Sequence, residues 1–247
     1  MHENKIAAII LGAGKGTRMK SDLPKVLMPV DGKPMIRHII DMLEGAGVEK
    51  IVTVIAPDGD LVKKEVSPLP TCVQEKQLGT CHAVLAARAE LCGFNGDILV
   101  IFGDQPLYTK HTIETIVNKR REGYAVVCLG FRPEDPARYG RLIMNAKGEL
   151  ERIVEYKDAS DEERAVTFCN SGMMCFNGET MFDILAEISN ENAAGEYYLT
   201  DAVAVALRKG LKCSAVECPV EEASAANTQE ELALLEELYK KRKGKHE

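Results

Sequence analysis

Three glycines and two cationic side chains follow one another closely near the start of the chain. Gly12, Gly14 and Gly16 come directly after the apolar run IAAIIL, and Arg18 and Lys25 lie just beyond them. Glycines let backbone N–H groups approach an anion closely, and guanidinium and ammonium groups bind phosphate oxygens. This spacing predicts a phosphate-binding loop, in preference to an ordinary glycine-rich turn with surface cations.

The glycine spacing fits neither of two common phosphate motifs. A dinucleotide fingerprint that begins at Gly12 requires a glycine where the chain has Thr17, and a P-loop requires glycine and lysine in place of Thr17 and Arg18. A dinucleotide-dependent oxidoreductase is therefore disfavoured. Because Pro24 biases the residue before it towards extended geometry, we expect Lys25 to turn back over the loop instead of continuing along a helix.

The segments around this loop alternate between two kinds of hydrophobic pattern. The run at 6–11 is continuous and apolar, as expected for a strand buried on both faces. Further strands are predicted at 50–57, 97–104 and 125–131, and helices at 34–47, 79–91 and 111–123. The alternation predicts parallel βαβ units in a Rossmann-like, doubly wound α/β sheet. The glycines would then lie at the carboxyl edge of the sheet, where such sheets bind ligands.

The pattern changes after residue 135. Two extended arms around NAKGE (145–149) predict an inserted β-hairpin, so the mostly parallel sheet becomes mixed. Later segments are a strand at 168–176, helices at 180–189 and 199–210, a strand at 213–218 and a closing helix at 228–243. The basic end of that helix, KKRKGK, is interpreted as a solvated terminus. With no internal repeat or long linker, a single domain over 1–247 is predicted.

Composition limits the classes of function. The 247 residues are 45% hydrophobic and 28% charged, as in an ordinary globular protein. The net charge of −7 argues against nucleic-acid and membrane-surface partners. Eight cysteines without a C-x-x-C pair favour reduced thiols over disulfides or zinc. No signal peptide and no membrane-length apolar run is seen, so the cytoplasm is expected.

The stretch LGAGKGTRMKSDLPKVL (11–27) resembles the signature of sugar-phosphate nucleotidylyltransferases. More specifically, the chain is similar to the uridylyltransferase (pyrophosphorylase) domain of bacterial N-acetylglucosamine-1-phosphate uridylyltransferases. The further stretches that carry this resemblance are QEKQLGTCHAV (74–84), FGDQPL (102–107), YGRL (139–142), IVEYKDASDEER (153–164), NSG (170–172), NENAAGEYYLTD (190–201) and AAN (225–227). They occur in order over essentially the whole chain, so the resemblance is global.

The resemblance implies a role for each matching residue. Arg18 and Lys25 would be catalytic and act on the phosphates, and Asp104 and Asn227 would hold Mg²⁺. The implied nucleotide-binding residues are Leu11, Gly12, Ala13, Gly14, Gly16, Thr17, Gln74, Gln77, Gly79 and Thr80. The implied sugar-binding residues are Gly103, Gly140, Glu155, Asn170 and Tyr198. The nucleotide-binding half would cover about 1–110, the sugar-binding half about 111–227 and the C-terminal helix about 228–243.

The residue types are compatible with these roles but leave alternatives. Asp104 ends a predicted strand at the ligand edge, and Mg²⁺ needs only a few protein oxygens beside substrate phosphates. By residue type, Glu155 could equally be a solvated strand charge, and His82 is expected to be structural and not a general base. The stretch GDQP also resembles molybdenum-cofactor cytidylyl- and guanylyltransferases, so the nucleotide base stays open.

The expected reaction joins UTP and N-acetylglucosamine 1-phosphate, or a related sugar 1-phosphate, and releases pyrophosphate. No general base is needed, because the attacking phosphate oxygen is already ionised. One alternative is a nucleotidyltransferase for another NTP, CTP or GTP, or another sugar phosphate; another is a catalytically silent nucleotide-sugar-binding regulator. Since the chain has no hexapeptide repeat, no acetyltransferase activity is expected from it, and the oligomeric state stays open.

Overall fold

A mixed β-sheet with helices on both faces forms the centre of the computed structural model, which describes residues 4–14, 16–19, 21–137, 139–192 and 194–244. The strands are β1 (Ile6–Leu11), β2 (Pro29–Val30), β3 (Lys33–Pro34), β4 (Lys50–Ile55), β5 (Thr71–Val73), β6 (Asp97–Phe102), β7 (Val126–Phe131), β8 (Arg141–Met144), β9 (Leu150–Val154), β10 (Cys169–Asn177) and β11 (Cys213–Glu217). The helices are α1 (Met35–Gly45), α2 (Asp60–Val66), α3 (Thr80–Ala86), α4 (Arg88–Leu91), α5 (Lys110–Arg121), α6 (Asp161–Arg164), α7 (Gly178–Leu185), α8 (Ala202–Arg208) and α9 (Gln229–Lys243).

The main sheet runs in the order β11-β7-β10-β6-β1-β4-β5, and the hairpin β8-β9 joins it through β10. The pairs β6-β1, β1-β4, β4-β5 and β7-β11 are parallel. Strand β10 is antiparallel to both β6 and β7 and thus links the two parallel portions. The predicted α/β class, with a mostly parallel mixed sheet, is confirmed. The carboxyl ends of β1 and β6 lie side by side, because Leu11 pairs with Phe102.

Two apolar clusters cover the two faces of the sheet. Ile9 and Val100 belong to one cluster, whereas Ile10, Leu99 and Ile101 belong to the other. Neighbouring residues of one strand point to opposite faces, and here both faces are buried under helices. This explains why β1 and β6 are uninterrupted apolar runs, and it makes their carboxyl ends rigid supports for a site. Among the described residues, no helix is both long and apolar enough to cross a membrane.

Helix α9 packs behind the glycine loop. Its Leu232 and Leu235 form a third apolar cluster with Met19 and Leu107. The interpretation of its basic end as solvated is wrong for Arg242, whose Nη1 donates a hydrogen bond to Leu107 O at 2.5 Å. The helix is therefore fastened at both ends to loops that carry candidate site residues.

Several short elements differ from the sequence predictions. The helix expected over 79–91 divides into α3 and α4 at Ala87, which is fully buried and bonded to Val84 O in a tighter turn. Helix α2 and strand β5 were not predicted. With seven and three residues, they are too short to show a clear hydrophobic period, and their contacts with β4 stabilise them.

Candidate active site

The glycine loop connects the end of β1 to a 3₁₀ turn, Thr17–Met19. Gly12 N donates to Val54 O at 2.8 Å, which anchors the start of the loop on the neighbouring strand. Gly16 has φ +55°, and a Cβ there would lie 2.8 Å from Lys25 Cβ. A Cβ at Gly14 would meet open space. Gly16 is therefore needed for the backbone turn and for close packing on Lys25, whereas Gly14 leaves room for a ligand.

Four charged or amide side chains meet beside this loop. Lys25 Nζ donates to the Asp104 carboxylate and, at 2.8 Å, to Asn227 Oδ1. Arg18 Nη2 donates to the same Asn227 oxygen at 2.9 Å. The Lys25 and Asp104 side chains are only 13% and 17% exposed. The two predicted cationic residues and the two predicted metal ligands thus form one hydrogen-bonded group, called the charged cluster below.

Lys25 is the first residue of a second 3₁₀ turn, Lys25–Leu27. This short turn buries Val26 and Leu27, while Lys25 itself lies back over the glycine loop, as expected. Its side chain reaches back to the charged cluster. Extended Pro24, with φ −50° and ψ 136°, immediately precedes the turn.

Asp104 lies just past β6, where the backbone is tightly packed. Gly103 N donates to Leu11 O at 2.9 Å, and a Cβ at Gly103 would lie 2.7 Å from Val26 Cγ1. The Asp104 carbonyl accepts from Ala226 N at 3.4 Å, next to Asn227. Thr109, not Asp104, is the N-cap of α5. Asp104 is consequently free of a capping role and faces the charged cluster.

A cavity of about 430 Å³ opens between the glycine loop and α3. We call it the nucleotide cavity, after the predicted nucleotide-binding residues that line it. Its lining includes nine of the predicted site residues: Leu11, Ala13, Gly14, Lys25, Gln74, Gln77, Gly79, Thr80 and Asp104. The remaining lining residues, which the sequence reasoning missed, are Val26, Ala83, Phe102 and Glu196. Phe102 begins the FGDQPL stretch and Glu196 lies in the NENAAGEYYLTD stretch. Their membership of these two stretches was the available signal.

The two glutamines of this cavity also bond to backbone atoms. Gln77 Nε2 donates to Ala13 O at 2.5 Å, and Gln74 Nε2 donates to Gly79 O at 3.1 Å. Gln74 Nε2 also lies 3.3 Å from His82 Nδ1. These bonds hold the 74–80 segment against the glycine loop. The position of His82 behind Gln74 agrees with the expected structural role.

A second cavity, of about 540 Å³, lies beside the first, and we call it the sugar cavity, after the predicted sugar-binding residues that line it. Three predicted sugar-binding residues line it: Glu155, Asn170 and Tyr198. Its other lining residues are Thr80, Phe102, Tyr156, Lys157, Asp158, Gly172, Met174, Asn192, Ala194, Leu199 and Thr200. Thr80 and Phe102 line both cavities. The two cavities therefore share a wall.

Six of the predicted site residues that the structure fully describes line neither cavity. Arg18 and Asn227 belong to the charged cluster, Gly16 and Gly103 are packing positions, and Gly12 lines a neighbouring space of about 640 Å³. Gly140 borders Glu155, since a Cβ there would lie 3.4 Å from its Oε1. Thr17 lies in the first 3₁₀ turn, and its side chain is outside the part of the chain that the structure describes.

Carboxyl groups in and beside the sugar cavity lie where the ionised form is disfavoured. Burial, and then the nearby Asp158 and Asp201 carboxylates, raise the pKa of Glu155 above its ordinary value of 4.5. Burial also raises the pKa of Asp201. Desolvation disfavours a charged group, and like charges add to this effect. The cavity is thus suited to a ligand that donates hydrogen bonds to a carboxylate.

The segments that form the shared wall are bonded to each other. Tyr197 N donates to Leu78 O at 2.8 Å, and Cys81 N donates to Tyr197 O at 2.9 Å. Gly79 has φ +113°, and a Cβ there would lie 2.5 Å from Tyr197 O. Leu199 N donates to Thr80 Oγ1 at 2.9 Å. These bonds hold the 78–81 and 197–199 segments against each other.

Two oxygen-bearing side chains of the charged cluster could contribute ligands to a magnesium ion. The Asp104 carboxylate and Asn227 Oδ1 both accept from Lys25 Nζ, so these oxygens face a common point. Oxygen atoms are the ligands that Mg²⁺ prefers, and it usually keeps phosphate oxygens and waters in its shell. Within the described ranges, no group of three or more His, Cys, Asp or Glu could hold a metal by itself. Additional ligands would have to come from substrate and water.

Comparison with known proteins agrees with this geometry. The sequence profile of the MobA-like NTP transferase domain matches residues 8–171. The chain belongs to this family. The matched part contains the glycine loop, Asp104, Glu155 and Asn170, whereas Tyr198 and Asn227 lie beyond it. The resemblance to nucleotidylyltransferases seen in the sequence is confirmed.

Curated relatives of this NTP transferase domain match nearly all of the chain. The bifunctional protein GlmU of Paramagnetospirillum magneticum is 46% identical over 244 residues, which is 98% of this chain and 54% of the relative. GlmU of Rhodospirillum rubrum is 50% identical over 234 residues, or 94% and 52% of the two chains. GlmU of Ruegeria sp. is 48% identical over 237 residues, again 94% and 52%. The chain spans about half the length of these relatives.

Proposed function

We propose that the protein is a Mg²⁺-dependent nucleotidylyltransferase that joins UTP and N-acetylglucosamine 1-phosphate, or a related sugar 1-phosphate, in the cytoplasm. The observation that carries this proposal is the pair of adjoining cavities. Their shared wall contains Thr80 and Phe102, which line both of them. The charged cluster, through Lys25 and Asp104, borders the first of them. Two substrates bound in adjoining cavities would bring their phosphates together.

The chemistry needs positioning and charge neutralisation more than proton transfer. An ionised oxygen of the sugar phosphate forms a bond to the α-phosphorus of UTP. At the same time, the bond breaks between that phosphorus and the oxygen that bridges the α- and β-phosphates. Pyrophosphate leaves with the bonding electrons. Arg18 and Lys25 would offset the charge that develops on the leaving group, as fixed cations do in phosphoryl transfer. No side chain has to remove a proton from the attacking oxygen.

Asp104 and Asn227 would hold the Mg²⁺, which would supply further neutralisation of phosphate charge. Lys25 donates to both of their oxygens, so this ammonium keeps the two side chains in place before substrate binds. Arg18 reaches the same Asn227 oxygen from the exposed side. The four residues of the charged cluster therefore define where the triphosphate would lie.

The choice of UTP and of an amino sugar rests on the motifs that resemble uridylyltransferases. In the nucleotide cavity, the base would be contacted by Gln74, Gln77, Gly79 and Thr80. In the sugar cavity, Glu155, Asn170 and Tyr198 would contact the sugar. Residues about 1–110 would form the nucleotide-binding half and about 111–227 the sugar-binding half. The bifunctional relatives match this chain over both halves.

A substrate panel tests the proposal. Pyrophosphate release is measured for the four NTPs, each with several sugar 1-phosphates, with Mg²⁺ and with a chelator. We expect the highest kcat/KM for UTP with N-acetylglucosamine 1-phosphate, and no turnover without a divalent ion. A preference for CTP or GTP would overturn the proposed base. Binding of UTP without turnover of any sugar phosphate would instead indicate a catalytically silent binding protein.

A further inference from the structure

Gln105 follows Asp104 but points away from both cavities. The residue is 5% exposed, and it lines neither the nucleotide cavity nor the sugar cavity. Its Nε2 donates two hydrogen bonds to backbone carbonyls, to Ser171 O at 2.8 Å and to Ala223 O at 3.3 Å. Since the amide group is used in the interior, it is not placed to read a nucleotide base.

The two carbonyls belong to segments that carry site residues. Ser171 directly follows Asn170 in β10, and the Asn170 Oδ1 accepts from Gly172 N at 3.1 Å. Ala223 ends the 3₁₀ turn Val220–Ala223, four residues before Asn227. One side chain therefore connects the loop of Asp104 to the segments of Asn170 and Asn227.

The physical properties of an amide suit this connection. A glutamine NH₂ group has two hydrogens, and here each can be directed to a different carbonyl. A buried carbonyl that loses its donor is costly to leave unsatisfied, so both segments are held firmly. A second bond acts in parallel, because Ala226 N donates to Asp104 O at 3.4 Å. The Asp104 loop is thus fastened on both sides.

We propose that Gln105 is a positioning residue that sets the spacing between the metal-binding oxygens of Asp104 and Asn227 and, through Ser171, the orientation of Asn170. The inference deepens the proposed function and rests on it. Gln105 touches no substrate; it acts through the three segments that it joins. Removing its donor groups allows the Asp104 loop and the 223–227 segment to separate while the sheet stays intact.

The decisive variant is Gln105→Met, which keeps the length of the side chain and removes both donors. Residues that orient metal ligands typically change metal affinity or activity about 10- to 100-fold. We expect kcat to fall by about this factor and KM for the sugar 1-phosphate to rise. Mn²⁺ binding in the presence of UTP, followed by electron paramagnetic resonance of the free ion, should weaken by about tenfold.

Two further variants separate donor chemistry from size. Gln105→Glu has nearly the same shape but offers an oxygen where the two carbonyls need a donor, so its losses should exceed those of Gln105→Met. Gln105→Asn keeps an amide on a shorter side chain that cannot span both carbonyls. It provides the Mn²⁺ measurement if Gln105→Met does not fold, with the same expected weakening.

Ile40→Val is the matched control for a general loss of stability. Ile40 is a buried residue of α1, a helix outside the three segments that Gln105 joins. This variant should lower the melting temperature and leave kcat and Mn²⁺ affinity at the wild-type values. If the Gln105 variants show wild-type Mn²⁺ affinity and a kcat within about twofold of wild type, the proposal is wrong. A loss of kcat that follows only the unfolded fraction would overturn it too.

The proposed function can fail separately from this inference. If the wild-type protein turns over no NTP and sugar phosphate pair, the proposed function is wrong. The Mn²⁺ affinities of wild type and Gln105→Met with UTP still decide whether Gln105 positions the two oxygens. If wild type is active and the variants match it in both measurements, only the role of Gln105 is lost.

Discussion

The nucleotide cavity and the sugar cavity share a wall but differ in whether their charged side chains are paired with an opposite charge. Beside the nucleotide cavity, Lys25 and Asp104 neutralise each other within the charged cluster. In the sugar cavity, Glu155 is half-buried and close to Asp158 and Asp201, which raises its pKa. A triphosphate brings its own charge, whereas sugar hydroxyls are neutral donors. One cavity is therefore charge-balanced before binding, whereas the other holds a carboxylate in an unfavourable environment that neutral hydroxyl donors would relieve.

The largest effect is expected from Asp104→Asn, which removes a charge from the balanced cavity. Asparagine can still accept from Lys25, but the part-buried ammonium loses its counter-charge, so the melting temperature should fall modestly while the protein stays folded. Without the carboxylate, kcat should fall by about 10³-fold, in the range for lost electrostatic stabilisation of a transition state. Steady-state pyrophosphate release measures this loss. The control is Asp58→Asn, which changes an exposed carboxylate and should keep wild-type kcat. Near-normal Mg²⁺-dependent turnover of Asp104→Asn would remove Asp104 from the site.

Lys25→Ala should have the next largest effect. It removes the donor to both Asp104 and Asn227, so the cluster loses its internal cation and the leaving group loses a positive charge. We expect kcat/KM for UTP to fall by about 10²-fold. The matched control is Lys33→Ala, since Lys33 pairs with Asp41 at the surface. Equal kcat/KM values for the two variants would contradict the role of Lys25.

Glu155→Gln should affect only the sugar side of the comparison. Hydrogen bonds to a charged group contribute about 1.5–3 kcal/mol, so KM for the sugar 1-phosphate should rise about tenfold. The KM for UTP should change less than about twofold. The melting temperature near neutral pH should rise, because the variant removes a desolvated charge. Glu151→Gln, on the exposed part of β9, should change none of these. A parallel rise in both KM values would mean that the cavities do not differ as described.

The smallest expected effect is a pH dependence. As pH falls through the raised pKa of Glu155, its carboxyl is protonated, and KM for the sugar 1-phosphate should rise a few-fold. The sugar phosphate also titrates, with a second pKa of about 6. Comparing wild type with Glu155→Gln at each pH isolates the contribution of the carboxyl, and identical profiles would contradict its role in sugar binding.

The raised pKa of Glu155 also predicts how the stability of the folded protein changes with pH. A carboxyl with a raised folded-state pKa binds protons more tightly in the folded state, so its ionisation lowers stability as pH rises from 4.5 through the raised pKa. The stability gain of Glu155→Gln should be complete above the raised pKa and shrink as pH falls through it. Thermal unfolding of both proteins across this window measures the difference. A gain that is independent of pH would mean that charge is not its cause.

The local hydrophobic pattern was sufficient to predict some strands and helices and insufficient for others. The runs of β1 and β6 and the period of α1 predicted these elements closely, because each buries a continuous apolar surface. Strand β5 depends on its pairing with β4, and the break at Ala87 coincides with the burial of that residue in the core. For the site, residue types and motif order indicated the glycine loop and Asp104, but no local signal indicated the interior amide of Gln105.

The amino-acid sequence by itself determined the α/β alternation and placed three glycines and two cations after the first buried strand. These features depend on local periodicity and on the backbone freedom of glycine, which neighbouring residues are enough to express. Only the tertiary structure decided that Asn227 joins Lys25 and Arg18, and that Gln105 connects three segments behind Asp104. Those contacts join residues far apart in the chain, so they arise only when the sheet, the 223–227 segment and α9 pack together.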